Sequence, residues 1–131
     1  RTLLASFAVL LPWLHAHAQP TWSKEVSRLV QEKCQSCHRP GDIAPFSLLT
    51  YEDAKTWAQD IQRVVESRRM PPWKPADAHD RFASFRGLTE DQRRTILDWV
   101  DAGAPEGDPA DLPEPLPEQG RWLLGDPDLV L

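Results

Sequence analysis

The sequence predicts an all-α protein, a small domain built on three main helices, and three observations lead there. Three segments repeat apolar residues at helical spacing, each bounded by capping or breaking residues. No segment sustains the period-two alternation of a half-buried strand between hairpin turns. The chain has 131 residues, and the stretch between its apolar N-terminal run and its proline-rich C-terminal stretch supports one small domain and no more.

The first helix starts near Thr21 or Ser23 as N-cap, and Val26, Leu29, Val30 and Lys33 follow at helical spacing. It delivers Cys34 at its C-terminal end, and Pro40-Gly41 stops any continuation. The second starts at Thr50, where Asp53 three residues on approximates a capping box. Its buried face is Ala54, Trp57, Ala58, Ile61, Val64 and Val65, with Tyr51 capping the way in. It must stop before Pro71-Pro72, because proline lacks the amide proton and drives the preceding residue out of helical geometry. The third is the clearest. Thr89 and Gln92 form a capping box, Glu90 and Asp91 suit the helix N-terminus, and Gly103 is the stop. Ile96, Leu97, Trp99 and Val100 form its apolar face.

Both ends of the chain differ from this middle. Residues 1–18 carry an apolar run from Leu3 to Leu14 behind Arg1, closing on Ala16-His17-Ala18, an A-x-A cleavage pattern. That is the form of a secretory signal peptide, and the run is short for a bilayer span. The expected location is therefore exported, periplasmic or extracellular, with no membrane attachment after cleavage. Residues 19–104 are the expected domain. Residues 105–121 contain Pro105, Pro109, Pro113, Pro115 and Pro117 among acidic residues, the composition of a semi-rigid linker. Residues 122–131 end in Trp122-Leu123-Leu124 and Leu129-Val130-Leu131, which reads as the start of a further domain in a longer protein.

Cleavage would take Arg1 from the 15 Lys and Arg and leave the 20 Asp and Glu, moving the balance from −5 to −6. An acidic chain with no basic stripe argues against nucleic acid as a partner. It also leaves His38 and His79 as the mature histidines beside Met70, the single methionine.

The chemistry is concentrated in Cys34, Cys37 and His38. They form a C-x-x-C-H motif from the only two cysteines, the pattern of covalent c-type haem attachment. Two thiols on adjoining turns can add to the two vinyl groups on one porphyrin edge, and the adjacent imidazole then lies beneath the iron. One covalent haem c per chain is the expected cofactor. Its second axial ligand is expected from Met70, in Arg69-Met70-Pro71-Pro72-Trp73, since the two prolines stiffen the loop that would hold a soft thioether. His79 is the competitor, in a polar loop, and would give a lower potential. Trp73, Arg68, Arg69 and Lys74 are candidate partners for haem propionates, and Trp57 and Trp73 for packing on the ring.

Other readings fare less well. A thioredoxin-like C-x-x-C belongs beside a β-α-β pattern, and none is visible. A zinc site of Cys34, Cys37, His38 and His79 lacks the usual spacing of a second ligand pair. A haem iron with an open sixth position would make the chain a sensor or peroxidase, though no second histidine lies near the motif as a distal acid or base.

The order of helix, C-x-x-C-H, middle helix, Met-Pro loop and aromatic-bearing last helix resembles a class I cytochrome c over residues 23–104. The resemblance implies one-electron transfer by a non-catalytic carrier, with His38 and Met70 as axial ligands of the iron. It implies a crossing of the first and last helices with Trp99 at the contact and Val30 as partner. It also implies a proline carbonyl that accepts the proximal histidine's other ring proton, a role that falls to Pro45, with Pro40 in reserve. Cys37-His38-Arg39-Pro40-Gly41, Ala44-Pro45, Arg69-Met70-Pro71-Pro72-Trp73 and Trp99-Val100-Asp101-Ala102-Gly103-Ala104-Pro105 also resemble, together, a narrower group. That group is the cytochrome domain ahead of a copper type II, ascorbate-dependent-monooxygenase-like domain in exported bacterial proteins. The implied partner is a redox protein or a fused downstream domain.

Overall fold

The computed structural model describes residues 19–73, 85–117 and 128–129, and every regular element among them is helical. The first helix opens with a π-helical turn, Trp22–Val26, and continues as α1, Ser27–Lys33. Then come α2 (Tyr51–Thr56), α3 (Ala58–Glu66), α4 (Glu90–Asp101) and a short 3-10 turn, Pro109–Asp111. Among the described residues no helix is long and apolar enough to cross a membrane. The proposed signal peptide, His79, Lys74 and residues 118–127 lie outside the described residues.

Both predicted capping boxes are present. Thr50 accepts from the Asp53 amide while Asp53 reaches back to the Thr50 amide, and Thr89 and Gln92 do the same for α4. The second predicted helix is two, broken at Trp57 (φ −99°, ψ 10°). Tyr51 does not cap α2. Its hydroxyl donates to the Ala104 carbonyl at 3.0 Å and so ties α2 to the far end of α4.

The core sits where the first helix meets α4 and the residues that follow it. Trp99 is wholly buried, its ring centroid 6.1 Å from that of Trp22, with Val26, Val30, Leu48 and Ala54 around them. Trp22, on the π turn, thus packs on Trp99 beside the expected Val30, which shares the same core cluster. Aromatic pairs of this kind add about 0.5–1.5 kcal/mol beyond the area they bury. The Pro105 carbonyl accepts from both Trp99 Nε1 (2.9 Å) and the Trp22 amide (3.0 Å), and the Glu106 carbonyl takes the Ser23 amide (2.8 Å). The first amides of a helix have no partner within it, so this chain return caps them.

Residues 105–117, where composition predicts a linker, lie along the first helix. Arg28 Nη2 donates to the Asp111 carbonyl at 2.9 Å and Gln31 Nε2 to the Glu114 carbonyl at 3.1 Å. Gly107, at φ +85°, makes the close approach possible, since a Cβ there would stand 2.5 Å from Thr21 Oγ1. Proline stiffness keeps the segment extended, and the helix's spare donors give it a surface to follow.

Two helix ends are built alike. At α4, Gly103 (φ +85°) sends its amide to Val100 and Ala104 sends its own to Trp99. At α3, Arg68 (φ +56°) donates to Val65 and Arg69 to Val64, the same Schellman pattern with arginine in the glycine position.

Candidate functional site

The C-terminal end of α1 starts the site. The Cys34 amide donates to Val30, and the amides of Cys37 and His38 both return to the Cys34 carbonyl (3.1 and 2.9 Å). This curl puts Cys34, Cys37 and His38 on the wall of one cleft of about 540 Å³. That size is within the roughly 300–1,000 Å³ of small-molecule and cofactor sites. The loop behind is fixed by Ala44 N–H on the Cys37 carbonyl (3.2 Å) and Leu48 N–H on the His38 carbonyl (3.0 Å). Buried Gln35 adds a bond from Nε2 to the Leu48 carbonyl at 3.0 Å. Arg39 grips Asp42 through Nε and Nη2, both at 2.9 Å. The Ile43 amide, with Arg39 beside it, holds the Asp42 carboxyl below its ordinary range.

His38 Nδ1 lies 3.2 Å from the Phe46 carbonyl oxygen. A carbonyl only accepts, so Nδ1 carries the proton and Nε2 keeps its lone pair for a metal. The acceptor is thus one residue beyond Pro45, the position expected from the sequence, and Pro40 does not serve either. The anchors at Ala44 and Leu48 bracket Phe46, and the turn they define sets which carbonyl meets the ring. Pro45 remains in the cleft wall. The Phe46 ring lies 4.6 Å from the imidazole and stacks on Trp57 at 4.3 Å and 18°.

Met70 reaches the same cleft from the other helices. The reversal at Arg68 ends α3, and the Met70 amide also returns to the Val64 carbonyl (3.1 Å). Met70, Pro71 and Pro72 then line the cleft, with Met70 still 42 % exposed. Trp57, Ile61 and Val64 supply apolar wall from α3 and its start.

Some expected residues stand elsewhere. Trp73 is not among the described residues that line the cleft, and its ring meets Phe85 edge-on at 5.7 Å. Arg68 pairs with Glu90 at 2.6 Å, and Arg69 is exposed. Among the described residues, the Lys and Arg in the wall are Lys33 and Arg63. Arg63 pairs with Asp60, and Lys33 lies 2.8 Å from Glu32 and donates to the Phe85 carbonyl. Lys33 could have been found from its place directly before Cys34. Arg63 carries no such mark in the sequence.

Cys34 and Cys37 form no disulfide. Burial, and then the neighbouring Cys37, pushes the Cys34 thiol up to about 12, so it stays a neutral and largely apolar group. Among the described residues no three His, Cys, Asp or Glu side chains converge as a metal site. Two thiols, an imidazole with a free Nε2 and a thioether around an apolar cleft are a donor set that fits a haem. No protein-family model, curated protein or solved structure matches the chain.

Proposed function

We propose that residues 19–104 form a monohaem c-type cytochrome domain of the class I type that performs one-electron transfer. The observation that supports this most is the convergence of Cys34, Cys37, His38 and Met70 on one apolar cleft, with His38 Nε2 left free by the Phe46 hydrogen bond. When bound, haem supplies a reversible one-electron iron couple.

Each residue then has a task. Cys34 and Cys37 would hold a haem by adding their thiols across its vinyl groups. His38 gives its Nε2 lone pair to the iron, and the Nδ1 bond fixes its tautomer and strengthens it as a donor. Met70 would offer the iron a soft sulfur, and a His/Met pair of ligands raises the potential. Trp57, Ile61 and Val64 exclude water around the plane. Lys33 and Arg63 are better placed than Arg68 and Arg69 to meet propionates, because they stand in the wall. Export, periplasmic or extracellular, accompanies this reading, as does a redox partner or fused downstream domain as the source or sink of electrons.

The ligand assignment is tested in the matured, haem-bearing chain by Met70→Ala. The iron is expected to bind carbon monoxide and its potential to fall. A variant that keeps the wild-type spectrum and potential would show that Met70 is not a ligand.

A further inference from the structure

We propose that Trp57 is a positioning residue that sets the orientation of the His38 imidazole through Phe46. This rests on the haem reading of the cleft and goes beyond it. Both holds on the imidazole come from one residue. The Phe46 carbonyl takes the Nδ1 proton at 3.2 Å, and the Phe46 ring lies 4.6 Å from the imidazole at 51°.

Phe46 belongs to no regular element; the Ala44 and Leu48 amides anchor the backbone on either side of it, and something must still fix its ring. Trp57 does, stacked on it at 4.3 Å and 18°. Trp57 itself stands at the junction of α2 and α3 and is tied to both. Its amide donates to the Asp53 carbonyl (3.2 Å), and its carbonyl accepts from the Ile61 amide (2.8 Å). Asp53 is in turn locked to Thr50 by the capping box. Rigidity therefore passes from a helix junction through two stacked rings to the metal-binding imidazole. Trp57 is only partly buried, unlike the core tryptophans Trp22 and Trp99, and it lines the cleft.

The bond from Nδ1 governs how strongly the imidazole donates to a metal. Loosening Phe46 weakens that bond, which weakens the iron–histidine bond and favours the reduced iron. The test uses the haem-loaded chain. Trp57→Leu is expected to raise the reduction potential. In a Met70→Ala background, where the reduced iron has a free position, it is expected to move the iron–histidine stretching band to lower frequency. Trp57→Phe, which keeps a stacking ring, should restore both values. Trp57→Met fills more of the volume without a ring and carries the same test if Trp57→Leu does not fold. A ring-less variant that binds haem with wild-type potential and band overturns the proposal, whatever its melting temperature. A chain that takes up no haem overturns the haem reading itself, and this inference with it.

Discussion

The end where the chain's two arms meet and the side that bears the cleft are held together by different means. At the first, Trp22, Val26 and Trp99 are buried on one another, and the Pro105 and Glu106 carbonyls satisfy the opening amides of the first helix. Val26 and Trp99 also line the cleft, so the two regions share a wall. At the second, Phe46, Trp57 and Ile61 surround about 540 Å³ of space, Met70 is 42 % exposed and Ile43 is 86 % exposed. A domain this small is marginal with its own core alone. The contrast teaches that the chain concentrates its own packing on one side and leaves an apolar cleft on the other.

The largest expected effect strikes the closed end. Trp99→Ala removes the centre of the core and the bond to Pro105, at a cost of about 3–5 kcal/mol by the behaviour of buried aromatics. With total stability of about 5–15 kcal/mol for ordinary domains, denaturant titration should show most of the margin gone. A loss under about 1 kcal/mol would break the comparison, since Trp99 could not then be the keystone.

Gly107→Ala acts on the same end more gently. A left-handed alanine costs about 1–2 kcal/mol, and its Cβ would collide with Thr21. The expected outcome is protease cutting within residues 107–117 that the parent chain resists. Equal cutting in both chains would show that the segment is a free linker after all.

The smallest effect belongs to the helix end that delivers Met70. Arg68→Gly relieves the positive φ while giving up an exposed ion pair with Glu90, which is worth at most about 1 kcal/mol. A net gain of up to about 1 kcal/mol in the thermal melt is expected. A clear loss would mean the Arg68 side chain matters more than its backbone.

What was legible in the sequence had a local cause. Thr50 with Asp53 and Thr89 with Gln92 are satisfied within one turn, so residue type alone announces them. The helical class and the buried Trp99 follow from spacing. Arg68 was hidden because the left-handed position normally shows itself as glycine. The course of residues 105–117 was hidden because its anchors are backbone carbonyls, which every residue carries. Phe46 replaced Pro45 as the acceptor for His38 because turn geometry, rather than side-chain identity, decides where a carbonyl points. In the cleft, the C-x-x-C-H motif and Met70 stood out as scarce residue types, whereas Lys33 and Arg63 are ordinary surface residues until the helices bring them to the wall.

The most direct test is the visible spectrum of the chain matured with haem-attachment machinery, taken reduced and then under carbon monoxide. A covalently held low-spin haem that ignores carbon monoxide is the predicted result, with both axial positions filled by the protein. Rapid carbon monoxide binding would contradict the His38/Met70 electron-carrier account and leave a sensor or peroxidase, while a colourless chain would contradict the haem itself.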